Sequence, residues 1–235
     1  MNAVTRTPDS TVTSRPPRAA PIHGVIYDHD GTLVNSLPVV VAATNRALSE
    51  HGHAEDAGAA IIAAMVLPTA PRMGHHSGVT DSAGQWRLAH AFYRIARELA
   101  GLATLYPGVP ELLAACAGRG LPQGVVSNND GAFVRAVLAG FGLDHHFAAL
   151  IGEQDMPAPK PDPAGLLLAA GRMARAPGDC IYVGDSGSDA AAAHAAGMRS
   201  VGVTWGIHTP AQVRGMGFDW VVERPGEIGE ILGRP

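Results

Sequence analysis

From residue 23 onward, short apolar runs alternate with longer segments in which apolar residues recur at helical spacing. The apolar runs are rich in β-branched residues and cover residues 23–28, 122–127, 147–152, 180–185, 199–204 and 219–223. Most segments between them have the length of a helix and end at a glycine, which often follows the last turn of a helix. Strands that alternate with helices in this way predict an α/β fold with a doubly wound, Rossmann-like parallel sheet covered on both faces.

One segment interrupts this alternation. No run between Leu37 and Leu105 predicts a strand. A first helix is expected to begin after Ser36, its cap, and to stop at Gly52, because small and apolar residues recur every three or four positions between them. The rest of the insertion is expected to hold two further helices, over about 55–66 and about 82–100, with an irregular loop over 67–80 between them.

The chain has 235 residues, the length of one large domain or of a domain with an insertion. We assign residues 21–36 and 106–235 to an α/β core domain and residues 37–105 to an all-helical inserted domain. Residues 1–20 are rich in Ser, Thr, Pro and Arg and lack the apolar run of a secretory signal. They are expected to form a disordered tail.

Composition and charge narrow the possible functions. Hydrophobic residues make up 46% of the chain and charged residues 16%, which supports a sizeable core. A net charge of −4, an aromatic content of 5% and the lack of any Lys/Arg run argue against a nucleic-acid surface. No apolar stretch reaches the roughly 18 residues of a membrane span. Cys116 and Cys180 lie in apolar runs without zinc-ligand spacing, so we expect free thiols in a reducing cytoplasm.

Acidic residues stand at the ends of two predicted strands. Asp28 and Asp30 stand at the end of the first, and Asp185 ends the run over 180–185, with Asp189 four residues further on. An EF-hand loop does not explain the first pair, because it needs glycine at its sixth position and glutamate at its twelfth. Ligands of open parallel sheets sit at the carboxyl ends of strands, so the four carboxylates converge if the two strands are neighbours. Such a cluster needs a cation, and all-oxygen ligation suits Mg²⁺.

Two further segments offer groups that bind an anion. Ser127 and Asn128 follow the second core strand and precede a helix, where a hydroxyl and exposed amides can hold a phosphate. Lys160 lies between prolines just before another helix, where its charge can neutralise an anion. Singly, these residues are more commonly a helix cap and a solvated loop lysine. Together with the two acidic clusters, in this order along the chain, they indicate a site for a phosphate and a metal.

With these motifs the chain resembles the haloacid dehalogenase-like hydrolase superfamily, and within it the phosphoglycolate phosphatase-like branch with an inserted helical cap. The resemblance covers about residues 21–233 and rests on Asp28-His-Asp-Gly-Thr-Leu-Val-Asn-Ser, Ser127, Lys160-Pro-Asp-Pro and Gly-Asp185-Ser-Gly-Ser-Asp189. Asn35 departs from it, since the family usually has Asp there, and so does His29, which replaces a more usual apolar residue. The resemblance implies that residues 37–105 form the cap and that the substrate is a small phosphorylated metabolite.

The resemblance also implies roles for the motif residues. Asp28 is expected to be the nucleophile that forms an aspartyl-phosphate, and Asp30 the general acid and then the general base. We expect crowded negative charge to raise the pKa of one of these two carboxyls, and Asp30 needs such a rise to hold a proton as the acid. Mg²⁺ is expected on Asp28, the Asp30 backbone carbonyl and Asp185, with Asp189 orienting a metal-bound water or Lys160. The groups expected to hold the phosphoryl oxygens are Thr32, Ser127, the Asn128 amide and Lys160.

The substrate is expected to be a phosphate monoester such as 2-phosphoglycolate, with Arg72, His75 and His76 of the loop over 67–80 as candidate selectors. A phosphosugar mutase or a pyrophosphatase on the same scaffold stays open, as do a metal-free haloacid dehalogenase and a non-catalytic binding module. Asp30 argues against dehalogenation, which uses no acid/base at that position. The oligomeric state stays open as well.

Overall fold

The computed structural model describes residues 21–233, so the tail predicted over residues 1–20 lies outside the described part of the chain. Its strands, in chain order, are β1 (Gly24–Tyr27), β2 (Val34–Asn35), β3 (Thr104–Leu105), β4 (Gln123–Val126), β5 (Phe147–Ile151), β6 (Cys180–Gly184), β7 (Arg199–Val203) and β8 (Trp220–Val222). Its α-helices are α1 (Leu37–Glu50), α2 (Gly58–Ala63), α3 (Thr69–Ser77), α4 (Ser82–Glu98), α5 (Val109–Gly118), α6 (Gly131–Gly140), α7 (Ala164–Arg172), α8 (Gly187–Ala195), α9 (Pro210–Arg214) and α10 (Pro225–Leu232).

Six strands form one sheet in the order β5-β4-β1-β6-β7-β8, and every neighbouring pair is parallel. The chain proceeds outward from β1 in both directions, to β4 and β5 on one side and to β6, β7 and β8 on the other. β1 therefore lies at the point where the strand order reverses, and in open sheets ligands bind beside the carboxyl ends of such strands. The predicted α/β fold with a doubly wound parallel sheet is confirmed.

Successive side chains of the central strands enter two separate apolar clusters. Val25 and Tyr27 of β1 pack in the cluster that includes residues of α5, α6 and α10, whereas Ile26 packs with residues of α7 and α8. The same division holds for β6, where Val183 lies in the first cluster and Tyr182 in the second. Because successive residues of a strand point to opposite faces, a strand covered on both sides is apolar throughout.

Helices α1 to α4 lie between β2 and β3, which pair antiparallel with Val34 opposite Leu105. The helical insertion therefore starts and ends at one place beside β1. Its apolar side chains, including Val39, Met73 and Phe92, belong to the same cluster as Val25 of β1. The helices thus pack on each other, and α4 contacts α6 of the core.

The prediction of an irregular loop over 67–80 is wrong, because most of this segment is helix α3. Pro71 falls in the first turn, where a helix does not need the backbone N–H that proline lacks. Gly78 ends the helix with a φ of 76°, a left-handed conformation that favours glycine. The helix expected over about 55–66 is α2 followed by a 3₁₀ turn over Ala64–Val66. The helix expected over about 82–100 is α4, which is two residues shorter.

Ser36 holds the N-cap position of α1, but its side chain makes no capping hydrogen bond. It lines the cavity at the end of β1 instead.

Both cysteines are free and buried, as expected. Within residues 21–233, no helix combines the length and the hydrophobicity that crossing a membrane requires.

Candidate active site

The side chains predicted from strand ends meet in one place. The first residue after β1 is Asp28, the first after β4 is Ser127, and the first after β6 is Asp185. Because β4, β1 and β6 are neighbours in the sheet, these three side chains converge at the same edge. They line a cavity of about 530 Å³ that residues of α1 and α3 complete from the other side. The cavity thus lies between the sheet edge and the helical insertion.

Lys160 is a buried cation with four oxygen acceptors around it, of which the Val126 backbone oxygen at 3.3 Å is the most distant. Its Nζ donates to Asp28 Oδ1 at 2.7 Å, to Asp189 Oδ1 at 2.6 Å and to Tyr182 Oη at 2.7 Å. Burial opposes its charge, but Asp189 and Asp28 raise the pKa of Lys160 above its usual range. An ammonium has three N–H donors, so these bonds fix the position of the charge beside Asp28.

The backbone of Lys160 is fixed as well. The Asn128 side chain accepts a hydrogen bond from Lys160 N at 2.8 Å and donates one to Lys160 O at 3.1 Å. Asn128 follows β4, and it therefore ties the segment that carries Lys160 to the edge of the sheet. Ser127 and Asn128 both line the cavity, where the sequence placed them.

Three carboxylates lie close enough together to hold a metal ion. Asp28, Asp185 and Asp189 are buried, and each offers an oxygen within 4.8 Å of the other two. Both Asp189 oxygens are already hydrogen-bonded, one to Lys160 and the other to the Ser186 hydroxyl and amide. Asp28 and Asp185 each use one oxygen in hydrogen bonds within the described chain. The lone pairs that these bonds leave on the carboxylates form an all-oxygen donor set that fits a hard divalent cation.

Asp185 is packed tightly by two glycines. A Cβ on Gly31, whose φ is +78°, would lie 2.2 Å from Asp185 Oδ2, and one on Gly206 would lie 2.3 Å from it. The Ile207 amide donates to the same oxygen at 3.3 Å. Burial, together with the neighbouring Asp189 and Asp28, raises the pKa of Asp185 well above its usual value. Only glycine lets the backbone approach the carboxylate this closely. The close packing of the two glycines fixes the orientation of the Asp185 carboxylate.

Asp30 stands apart from that group. Its Oδ2 lies 3.3 Å from Asn129 Nδ2 and 3.4 Å from Ser127 Oγ, and its Oδ1 lies 3.2 Å from His29 Nδ1. Burial raises its pKa, but the neighbouring His29 and the hydrogen-bond donors lower it more, so the pKa of Asp30 falls below its usual range. The raised pKa that Asp30 would need as an acid is thus not found in this arrangement. The structure surrounds Asp30 with donors that favour its charged form.

The carboxyl whose pKa is raised is Asp28. Burial is the largest cause and exceeds the opposing effect of Lys160, while the charges of Asp189 and Asp30 add to it, so its pKa rises to about 7. Thus the crowded negative charge that the sequence indicated acts on Asp28. A divalent cation beside it would favour its charged form.

Thr32 is not brought to the cavity wall. Its side chain is buried, its Oγ1 has no hydrogen-bond partner in the described chain, and its backbone oxygen accepts from Trp205 Nε1 at 2.9 Å. The cavity lining does not include it. The expected contact between Thr32 and a phosphoryl oxygen is therefore not apparent in this arrangement.

Of the three candidate selectors, Arg72 lines the cavity, whereas His75 and His76 do not. Arg72 is buried and lines the cavity, with its guanidinium 4.9 Å from the centre of the Phe92 ring. His75 and His76 lie outside the cavity lining, because they stand one turn later on α3. His76 Nδ1 lies 2.8 Å from Asp56 Oδ2 and ties α3 to the segment before α2.

The sequence did not reveal several residues of the site. Asn129 lines the cavity and bonds to Asp30, while Tyr182 bonds to Lys160 from the middle of a strand. Glu153 lines the cavity and accepts a hydrogen bond from Tyr93 of α4. Asn129 had a signal, because it belongs to the same strand end as Ser127. Tyr182 and Glu153 become recognisable only once the sheet order and the position of the insertion are known.

Comparison with known proteins agrees with this geometry. The family model described as haloacid dehalogenase-like hydrolase matches residues 25–203. A phosphoglycolate phosphatase of Haemophilus influenzae is 34% identical over 216 residues, which cover 88% of this chain and 96% of that protein. One of Rhodospirillum rubrum is 34% identical over 221 residues, with 90% and 91% of the two chains covered.

Solved structures show the same fold. The chain is similar to a "predicted phosphoglycolate phosphatase" of Haemophilus somnus, with a TM-score of 0.79, 28% identity, and coverage of 89% of this chain and 97% of that one. A haloacid dehalogenase-like hydrolase of Bacteroides fragilis gives a TM-score of 0.80 at 26% identity, with 88% and 99% covered. The chain belongs to the haloacid dehalogenase-like hydrolase family. Within it, the chain is an enzyme of the phosphoric monoester hydrolase class, and a carboxylate cluster that can hold a metal lies in its site.

Proposed function

We propose that the protein is a Mg²⁺-dependent phosphatase that hydrolyses a small phosphate monoester through an aspartyl-phosphate on Asp28. One observation carries the proposal: Asp28 faces the cavity with Oδ1 bound to the buried Lys160 and with Asp185 beside it. A carboxylate held by one oxygen leaves the other free to attack. The buried ammonium beside it offsets the repulsion that a phosphate dianion meets among several carboxylates.

The reaction runs in two steps. The free oxygen of Asp28 attacks phosphorus in line, the bond to the ester oxygen breaks, and Asp30 gives that oxygen a proton as it leaves as an alcohol. Asp30 then takes a proton from a water molecule that attacks the same phosphorus. Inorganic phosphate leaves and the Asp28 carboxylate is restored. The low pKa of Asp30 belongs to the free site, and an arriving dianion favours its protonated form.

The chain's own oxygens support a metal site at this point. Asp28, Asp185 and the Asp30 backbone carbonyl would hold Mg²⁺, and Asp189 positions Lys160 through its 2.6 Å hydrogen bond. The ion, when bound, neutralises charge on the transferring phosphoryl group. Ser127, the Asn128 amide and Lys160 would hold the phosphoryl oxygens. Thr32 would contribute only after a movement that brings its hydroxyl forward.

We assign residues 37–105 to a cap domain and residues 21–36 and 106–235 to the core domain. Support comes from the cavity lining, which combines Leu37 and Arg72 of the insertion with Asp28 and Lys160 of the core. β2 and β3 would serve as the paired connections between the two. A cap in this position excludes bulk water during the reaction, which strengthens the electrostatic interactions inside.

The substrate we favour is 2-phosphoglycolate or a monoester of similar size. Relatives that cover most of the chain at 34% identity are phosphoglycolate phosphatases. The test is phosphate release from a panel of phosphorylated metabolites, in Mg²⁺ and in chelator. We expect activity that depends on Mg²⁺ and a phosphorylated Asp28 in acid-quenched protein, located by peptide mass spectrometry. Full activity in chelator, or phosphate on another residue, would overturn the mechanism.

A further inference from the structure

Arg72 is a buried arginine that has no anionic partner among the described residues. It is 6% exposed, and its Nε has no hydrogen-bond partner in the described chain. The ion pairs of residues 21–233 involve other arginines, such as Arg46, Arg94 and Arg97. A buried charge without a partner is unfavourable, and burial accordingly lowers the pKa of Arg72. A ligand in the cavity that Arg72 lines could supply the missing anion.

The surroundings of Arg72 hold its guanidinium in place without neutralising it. The Phe92 ring of α4 lies 4.9 Å from the guanidinium carbon, a cation–π arrangement that orients the group. The charge of Glu153 raises the pKa of Arg72. The Glu153 carboxylate, however, accepts a hydrogen bond from the Tyr93 hydroxyl, and it forms no ion pair with Arg72 among the described residues. The guanidinium therefore remains available to the cavity that it lines.

The position of Arg72 limits where the missing anion lies. Arg72 and Asp30 line the same cavity, and the charge of Asp30 raises the pKa of Arg72. In the proposed reaction Asp30 protonates the ester oxygen of the leaving group. An anion at Arg72 thus lies a few bonds from that oxygen, on the leaving group itself. A planar guanidinium fork matches a carboxylate with two parallel hydrogen bonds.

We propose that Arg72 binds a carboxylate on the leaving group and thereby selects short phosphorylated carboxylic acids over neutral phosphate esters. This inference rests on the proposed phosphatase function and names the substrate class of the same site. 2-Phosphoglycolate has a carboxylate one carbon from the ester oxygen and fits the arrangement. His75 and His76 take no part, because they lie outside the cavity.

The test compares two substrates of nearly equal size, 2-phosphoglycolate and 2-hydroxyethyl phosphate, which carries a hydroxymethyl group in place of the carboxylate. Wild-type protein should prefer the first by about 10- to 100-fold in kcat/KM, as expected for a charge-assisted pair of hydrogen bonds. Arg72→Met should remove that preference, mainly through KM for 2-phosphoglycolate, and should leave 2-hydroxyethyl phosphate nearly unaffected. Arg72→Lys should restore part of the preference, because it keeps the charge without the fork.

Two further measurements keep the outcomes distinct. Arg94→Met is the matched control, since Arg94 is an exposed arginine of α4 that pairs with Glu50 and Glu98, and it should keep the wild-type preference. Thermal unfolding of Arg72→Met should match wild type, because no ion pair is lost. Equal losses on both substrates would show that Arg72 only supports the fold, and a wild type without preference would overturn the inference with no variant needed. Hydrolysis of neither substrate by wild-type protein would overturn the proposed function itself.

Discussion

Lys160 determines the charge balance of the site at the scale of single residues. Its removal leaves Asp28 and Asp189 buried without their cation, so Lys160→Met should lower the free energy of unfolding by about 3–5 kcal/mol near neutral pH. Tyr182→Phe is the milder comparison, because it removes only a neutral hydroxyl bonded to Lys160, for about 1 kcal/mol. Urea unfolding measures both. Equal losses in the two variants would contradict the role of Lys160 as the compensating charge.

Asp28 permits a separate prediction, in which activity and stability respond differently. Asp28→Asn should abolish phosphate release, because an amide cannot form an acyl-phosphate. It should not destabilise the protein, since a buried carboxyl with a raised pKa is replaced by a neutral group of the same shape. Asp162→Asn, at an exposed position in the Lys160 segment, should change neither property. Appreciable turnover by Asp28→Asn would exclude Asp28 as the nucleophile.

The residues at strand ends could be predicted because a parallel sheet places successive carboxyl ends at one edge. Asp28, Ser127 and Asp185 needed only the strand assignments and the assumption that the strands are neighbours. The protonation pattern could not be predicted in the same way. It depends on the donors around Asp30, among them His29 and Asn129, whose side-chain positions follow from tertiary packing.

At the scale of elements, α3 shows where sequence pattern was insufficient. Pro68, Pro71, Gly74 and Gly78 all indicate loops by composition. Gly74 nevertheless lies inside the helix. A Cβ at this position would approach the Gln85 side chain of α4 to within 2.6 Å, so a larger residue would not fit there. Close packing of α3 on α4 selected the glycine, and that contact is invisible in a local window. β2 and β3 were missed for a related reason, since two-residue strands carry no periodicity.

The contact of α4 with the core yields an element-scale prediction. Arg97 of α4 donates to Asp130 Oδ2 at 2.7 Å, and Asp130 caps α6 and adjoins Asn129 of the site. Arg97→Met should lower kcat/KM by roughly fivefold, because it loosens the proposed cap over the catalytic residues, which corresponds to about 1 kcal/mol. Stability should change little, since Arg97 is 41% exposed.

Arg94→Met is again the matched control, because the partners of Arg94 within residues 21–233 are Glu50 of α1 and Glu98 of α4, both in the insertion. It should leave steady-state kinetics at wild-type values. If Arg94→Met and Arg97→Met reduce kcat/KM alike, the effect reflects the stability of the insertion and not its contact with the core. The comparison thus tests the contact and not merely the presence of an arginine.

At the scale of the whole molecule, one strand order creates the site. β1 lies between β4 and β6, so the proposed nucleophile Asp28, the proposed phosphate-binding Ser127 and the proposed metal ligand Asp185 follow three strands far apart in sequence. The same arrangement concentrates negative charge. Three aspartates converge, Asp28, Asp185 and Asp189, and among the described residues Lys160 is the cation bonded to two of them, Asp28 and Asp189. A divalent cation should therefore influence the stability of the whole fold as well as turnover.

Mg²⁺ should raise the thermal stability of the protein without any substrate. At about 100 times its dissociation constant, a ligand of the folded state adds about 2.7 kcal/mol, which is roughly 5–10 °C in Tm for a chain of this size. Asp185→Asn should lose most of this increment, yet be no less stable than wild type in chelator, because it removes a buried carboxyl whose pKa burial has already raised. Asp162→Asn should keep the full increment. An unchanged increment in Asp185→Asn would place the cation elsewhere.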